Sequence, residues 1–134
     1  MMVTRDELIQ KAIDIRKRAY VPYSEFPVGA AVLTKSGEVY EGVNIENAAY
    51  PTSCCAERVA IFKAVADGHY DFETLAVTAD TDRPVPPCGS CRQVMSEFFD
   101  SNTVIHTTSV KGQIKSMTME ELLPFSFTPE DLNK

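Results

Sequence analysis

Cys55 and Glu57 lie in the stretch CAERVAIFKA, and Cys88 and Cys91 lie in PCGSCRQVMSEFF. Thiolates are good zinc ligands, and a catalytic zinc is held by three side chains so that a water can take the fourth tetrahedral position. Three sulfurs with one carboxylate nearby therefore point to hydrolysis more than to scaffolding. Cys88 and Cys91 follow Pro87 and precede the apolar-periodic run Val94, Met95, Phe98 and Phe99, which predicts a helix start. Positions i and i+3 share a helix face, so both sulfurs can reach one ion. Cys55 opens a second run, in which Val59, Ala60, Phe62, Lys63 and Ala66 predict an amphipathic helix ended by Gly68. Two helix N-termini would then meet at the metal, where their partial positive charge favours thiolate over thiol.

Glu57 follows Cys55 by two residues and has the reach of a proton carrier for a metal-bound water. Three thiolates on Zn²⁺ leave a formal charge of −1, which weakens the metal as a Lewis acid. Arg58, next to Glu57, and Arg92, next to Cys91, are placed to offset it by donating hydrogen bonds to sulfur, Arg58 the better of the two. Other readings stay open: a Cys-x-x-Cys pair also serves redox centres and structural zinc knuckles, and a metal can simply pin two helices in a binding module. A structural zinc fills its fourth place with Cys or His. Cys54 is the only cysteine left for that place, and adjacent helical residues point about 100° apart, so Cys54 reads as a buried, unliganded thiol.

With C-A-E followed by P-C-x-x-C, the chain resembles the zinc-dependent nucleoside and nucleobase deaminases in their three-cysteine form. FPVGAAVL from Phe26 to Leu33, GVNIENAAY from Gly42 to Tyr50 and CAER from Cys55 to Arg58 are similar to the small homotetrameric cytidine deaminases, and the similarity runs from about Tyr20 to Leu132. The resemblance implies that Cys55, Cys88 and Cys91 hold one Zn²⁺ per subunit. It implies that Glu57 moves protons between water, the pyrimidine N3 and the leaving ammonia. Phe26 would pack on the substrate base, and Asn44 and Glu46 would hydrogen-bond the ribose hydroxyl. Ala48, Tyr50 and Phe127 would reach the site of a neighbouring subunit. The implied reaction is deamination of cytidine and 2′-deoxycytidine in pyrimidine salvage, by a homotetramer with shared sites. The alternative is another small aminopyrimidine such as blasticidin S. On residue types alone, Asn44 and Glu46 also suit a turn whose side chains bond their own backbone, and Phe26 suits a core aromatic at a strand entrance. His69 and His106 are given no role.

At 134 residues and 14.9 kDa the chain is expected to be a single domain, 1–134, that removes roughly two thirds of its unfolded surface from water. The net charge of −6, from 13 basic and 19 acidic residues, and the lack of a Lys/Arg cluster argue against a polynucleotide partner. A neutral nucleoside needs no electropositive path. No apolar run approaches the ~20 residues of a membrane span, and MMVTRDELIQ lacks a signal-peptide core. A cytoplasmic location with reduced thiols is expected.

Around the site, Thr4 and Glu7 form a capping box before a helical stripe of Leu8, Ile9, Ala12, Ile13 and Ile15 reaching about Ala19. Val28 to Thr34 and Glu38 to Val43 read as a hairpin around Lys35-Ser36-Gly37, after a loop from Tyr20 to Pro27. Beyond the first zinc helix come a strand from Leu75 to Ala79, a loop to Pro87 and the second zinc helix. Strands Thr103 to Thr108 and Gln113 to Met117, a short helix from Met119 to Leu123 and a loose tail complete the chain. This order predicts an α/β fold, a single mixed sheet with helices on both faces in three layers, with both zinc helices starting at the same edge.

Overall fold

A computed structural model describes residues 2–132. The first helix, α1 (Arg5–Ile15), starts on the expected capping box: Glu7 N–H donates to Thr4 Oγ1 at 3.2 Å and Thr4 N–H donates to Glu7 Oε1 at 2.8 Å. It ends earlier than expected. Arg16–Arg18 tighten into a 3-10 turn, because this basic run offers no apolar side chain to bury.

Five strands follow: β1 (Val28–Thr34), β2 (Val39–Val43), β3 (Phe72–Ala79), β4 (Val104–Ser109) and β5 (Ile114–Thr118). They form one mixed sheet in the order β2-β1-β3-β4-β5, in which only β3 and β4 run parallel. β3 begins at Phe72, earlier than its expected start at Leu75, and buries that ring. On one face, Leu8, Ile9 and Ala12 of α1 pack on Ala31, Leu33 and Ala76. On the other lie α2 (Ala56–Ala66), α3 (Gly89–Phe98) and the short α4 (Met119–Leu122), whose Ala60, Ile61, Met95 and Leu122 join Ala30, Val32, Leu75, Val77 and Ile105. The three-layer α/β arrangement is the expected one. Both faces of β1 are covered, which is why VGAAVLT reads as an unbroken apolar run rather than an alternating one. The tail is more ordered than expected: α5 (Pro129–Leu132) starts where Thr128 N–H donates to Asp131 Oδ2 at 2.7 Å.

The face that α2 buries differs from the expected stripe. Ala56, Glu57, Ala60, Ile61 and Ala64 are buried, whereas Phe62 is 45% exposed and Lys63 and Ala66 face outward. This helix is apolar nearly all round, so periodicity does not select a face. Small size does. A Cβ on Gly42 of β2 would stand 2.4 Å from the Ala56 carbonyl oxygen and 2.5 Å from Ala60 N, so helix and strand meet backbone to backbone through the alanine side.

The pairings Val28 with Ala79, Gly29 with Val43 and Ala79 with Ser109 place the start of β1 and the ends of β2, β3 and β4 at one end of the sheet. Phe26, Asn44, Glu46 and the chain entering α3 are delivered to that end. Gly42→Ala is expected to destabilise the fold by about 1–3 kcal/mol through overpacking. It should also lower zinc content by pushing the start of α2 away. Thermal unfolding and metal analysis of the purified variant check both effects.

Candidate active site

Cys55 and Cys88 are the N-cap residues of α2 and α3, both in extended backbone conformation, and neither side chain accepts a capping hydrogen bond. Their sulfurs are left for another partner. Cys91, in the first turn of α3, joins them, and the three Sγ atoms lie within 4.8 Å of one another. Cys55 Sγ and Cys88 Sγ are 3.6 Å apart, and Cys88 Sγ and Cys91 Sγ are 3.2 Å apart. A tetrahedral zinc with sulfur ligands at about 2.3 Å has edges of ~3.8 Å, so the donor set fits that ion in type and spacing. Cys91 is buried, Cys55 half-buried and Cys88 exposed, so the site opens on the Cys88 side.

Hydrogen bonding with Cys91, and then with Arg58 and Cys88, draws the Cys55 thiol down to about 5 against the opposing effect of burial. The Cys91 thiol is pushed up by its bond with Cys55 and by burial. Bound together by one metal ion, the trio would give up its thiol protons. Arg58 Nη2 lies 3.6 Å from Cys55 Sγ and 3.4 Å from the Ser53 carbonyl oxygen, while its Nε is buried without a partner among the described residues. The structure places the Arg58 guanidinium against the Cys55 sulfur. It does not do so for Arg92. Arg92 Nε donates to the Pro87 carbonyl and Nη1 to the Leu122 carbonyl, both at 2.9 Å, so its guanidinium holds the entry to α3 against the end of α4. Orphan carbonyls at a loop and a helix end outcompete a weakly accepting sulfur.

Glu57, in the first turn of α2, is 4% exposed. Burial, reinforced by the nearby Cys55, pushes its carboxyl up to about 7, with Arg58 pulling the other way. A carboxyl so tuned both gives and takes a proton near neutrality.

Asn44 Oδ1 accepts from Val28 N–H at 2.9 Å and its Nδ2 donates to the Phe26 carbonyl at 2.8 Å, fastening the end of β2 to the entrance of β1. Glu46 Oε1 accepts from the N–H groups of Tyr23 and Ser24, each at 3.1 Å, and Oε2 accepts from the Ser24 hydroxyl. These donors, the Ser24 hydroxyl foremost, hold the Glu46 carboxyl below its ordinary value. Both side chains bond backbone 16 to 23 residues away rather than their own, so the local-turn reading does not hold, and Glu46 also lines a cavity of about 340 Å³ with Tyr23, Ser24, Tyr50 and Ser53. Phe26 is not a core aromatic: it is 40% exposed and borders the Asp80–Pro86 loop. Ala48 is exposed, Tyr50 begins a 3-10 turn with its ring edge-on to Tyr23 at 6.0 Å, and Phe127 is 57% exposed with its carbonyl accepting from Gln93 Nε2 at 2.9 Å.

Cys54 lies outside the sulfur group. It is partly rather than fully buried, and exchanges two backbone hydrogen bonds with Ile45, each 2.9 Å. His69 Nε2 lies 3.5 Å from Glu38 Oε2, in a group with Asp67 at the opposite end of β2 from the sulfurs. Ser24 was not anticipated, since its partner Glu46 is 22 residues away and no periodic pattern links them.

The family described as the cytidine and deoxycytidylate deaminase zinc-binding region matches residues 2–107. A cytidine deaminase from Halalkalibacterium halodurans is 54% identical over 96% of this chain and 98% of its own length. Another, from Sporosarcina psychrophila, is 52% identical over 96% of this chain and 94% of its own. The crystal structure of the Burkholderia pseudomallei cytidine deaminase superposes with a TM-score of 0.91 at 42% identity, covering 93% of this chain and all of that one.

Cys91→Ala should abolish stoichiometric zinc binding, whereas Cys54→Ala should retain one zinc per chain. Metal analysis after dialysis separates the two.

Proposed function

This chain belongs to the cytidine and deoxycytidylate deaminase family with its zinc-binding region, and from that premise we propose that residues 1–134 form one catalytic domain converting cytidine and 2′-deoxycytidine to uridine and 2′-deoxyuridine with release of ammonia. It is a zinc-dependent hydrolase acting on a carbon–nitrogen bond. The observation that carries this reading is three sulfurs suited to one zinc beside a buried carboxyl whose proton affinity sits near neutrality.

Cys55, Cys88 and Cys91 hold the zinc, which when bound supplies a Lewis acid and an acidified water. Glu57 takes a proton from the attacking water as oxygen adds to C4 of the pyrimidine, and passes it to N3. It then takes the remaining proton from the new C4 hydroxyl and delivers it to the amino nitrogen, so that the C4–N bond breaks, the C4 oxygen becomes the carbonyl of the uracil ring and neutral ammonia departs. Burial suits Glu57 to both halves of this cycle, because neither its charged nor its neutral form is strongly favoured. Arg58 offsets the negative charge that three thiolates place around the metal. Phe26 offers its exposed ring to the base, and Asn44 and Glu46 face the sugar. Amide and carboxylate groups that are already anchored suit a ribose better than the blasticidin S alternative, and competition between the two compounds tests that preference.

The oligomer proposed is a homotetramer. The outward face of α2 carries Val59, Phe62 and Ala66, and a helix apolar on every side is one that expects cover. Tyr50 and Phe127 are 70% and 57% exposed beside an open site, so a neighbouring subunit that covers them also walls the pocket. Among the described residues no helix is long and apolar enough to cross a membrane. A cytoplasmic role in pyrimidine salvage, with no nucleic-acid partner, fits the acidic charge and unpaired cysteines.

Purified zinc-loaded protein should convert cytidine to uridine, followed by the ultraviolet change; absence of turnover rejects the reading. Glu57→Gln should keep its zinc and lose on the order of 10²- to 10⁴-fold in kcat. An emptied metal site in that variant would make Glu57 a ligand instead. Arg58→Gln should keep zinc and slow kcat, and an unchanged rate removes its charge-balancing role.

A further inference from the structure

The loop before β1 is tied to the loop after β2 by one side chain that the catalytic reading leaves without a task. Ser24 Oγ accepts from Phe26 N–H at 3.1 Å and donates to Glu46 Oε2, using its single proton on the carboxylate. The backbone around it is fixed on both sides. Tyr20 N–H donates to the Asn44 carbonyl at 3.0 Å, Glu46 N–H to the Tyr20 carbonyl at 2.9 Å, and Glu25 N–H to the Val21 carbonyl at 3.0 Å. Between Ser24 and Phe26, Glu25 has φ 55, a left-handed conformation that a residue with a side chain keeps only where its surroundings impose it.

We propose that Ser24 is a positioning residue for the deamination, fixing the carboxylate that meets the sugar hydroxyls at a set distance from the aromatic that meets the base. This rests on the reading of Glu46 and Phe26 as ribose and base contacts. A carboxylate has about four acceptor positions. In Glu46, Oε1 gives two to the Tyr23 and Ser24 amides and Oε2 gives one to the Ser24 hydroxyl, which leaves one on Oε2 for a ligand. Glu46 borders the cavity formed with Tyr50 and Ser53. The hydroxyl, with the two amides, holds the Glu46 carboxyl below its ordinary value and fixes the direction in which its oxygens face. Removing it frees the carboxylate to rotate and unties the Phe26 amide.

The experiment uses the zinc-loaded enzyme and two competitive inhibitors of cytidine turnover, uridine and 2′,3′-dideoxyuridine, so that the ratio of their inhibition constants reads the sugar hydroxyls alone. Ser24→Ala should shrink that ratio about tenfold, the scale of a lost hydrogen bond to a charged group. Its zinc content should stay unchanged, and kcat for cytidine should stay within about threefold of the parent, because removing a binding contact moves affinity more than turnover. Ser24→Thr, which keeps the hydroxyl, should preserve the ratio. An unchanged ratio in Ser24→Ala, with a collapsed ratio in Glu46→Gln, overturns the positioning role and leaves the ribose reading standing. An unchanged ratio in Glu46→Gln overturns the ribose reading itself. Equal loss in Ser24→Thr and Ser24→Ala assigns the effect to loop packing and also overturns the role of the hydroxyl.

Discussion

Three sulfurs converge only because two helices begin at the same end of one sheet, and that depends on how closely α2 lies against β2. The contact is made by backbone: Gly42 meets the Ala56 carbonyl and Ala60 N with no room for a Cβ. No layer of flexible side chains stands between them to absorb a shift. Cys55 and Glu57 are therefore positioned by the sheet itself, and Arg58, one residue on, arrives at the Cys55 sulfur by the same constraint. On the second helix, Arg92 performs the corresponding fixation by holding the Pro87 and Leu122 carbonyls. Two arginines near the sulfurs are thus placed differently. Arg58 donates to the Cys55 sulfur, and Arg92 fixes the backbone at the entry to α3.

Two carboxylates at the same end of the sheet are tuned in opposite directions. Glu57 is sealed in the core and its carboxyl is raised to about 7, mainly by burial. Glu46 sits in a loop where two amides and a hydroxyl lower it. Desolvation penalises the charged form and donated hydrogen bonds favour it, so one carboxyl is poised near neutrality, as the proposed proton carrier requires, and the other is a fixed acceptor. On the proposed roles, exchanging the two environments would ruin both tasks, since a permanently ionised Glu57 would not return its proton and a neutral Glu46 would compete with the sugar hydroxyl as a donor.

What could be read from the residues follows the range of the interactions involved. Cys88 and Cys91 are one helical turn apart, Thr4 and Glu7 cap locally, and the β1–β2 hairpin closes over a few residues, so these features were legible. The buried face of α2 was not, because an almost uniformly apolar helix has no periodic stripe; the choice was made by Gly42 on a distant strand. The end of α1 was overestimated because Ile15 continued the stripe while the basic residues after it had nothing to bury. Arg92 was drawn to sulfur by adjacency, whereas its carbonyl partner on Leu122 is 30 residues away. Ser24 fell in a loop that periodicity treats as connection, and its partner on the far side of the β1–β2 hairpin is invisible to any local pattern.

The outer face of α2 and the open pocket pose one problem with one solution. Phe62 on the helix, Phe26 beside the Asp80–Pro86 loop, Tyr50 at the Glu46 cavity and Phe127 in the tail leave large apolar rings in water on a chain of 134 residues. Each could be replaced by a polar residue without loss to the core, since none belongs to either buried cluster. Their retention makes sense if burial comes from association. A nucleoside needs walls that exclude bulk water while the base is hydrated at C4, and a shallow site at helix N-termini supplies only a floor of sulfur and carboxyl. In the proposed assembly, closure by a second chain would couple association to catalysis, because the exposed rings lie near the groups that otherwise stand in solvent. In the proposed homotetramer the sheet would place the reactive groups and the neighbouring subunits would enclose them.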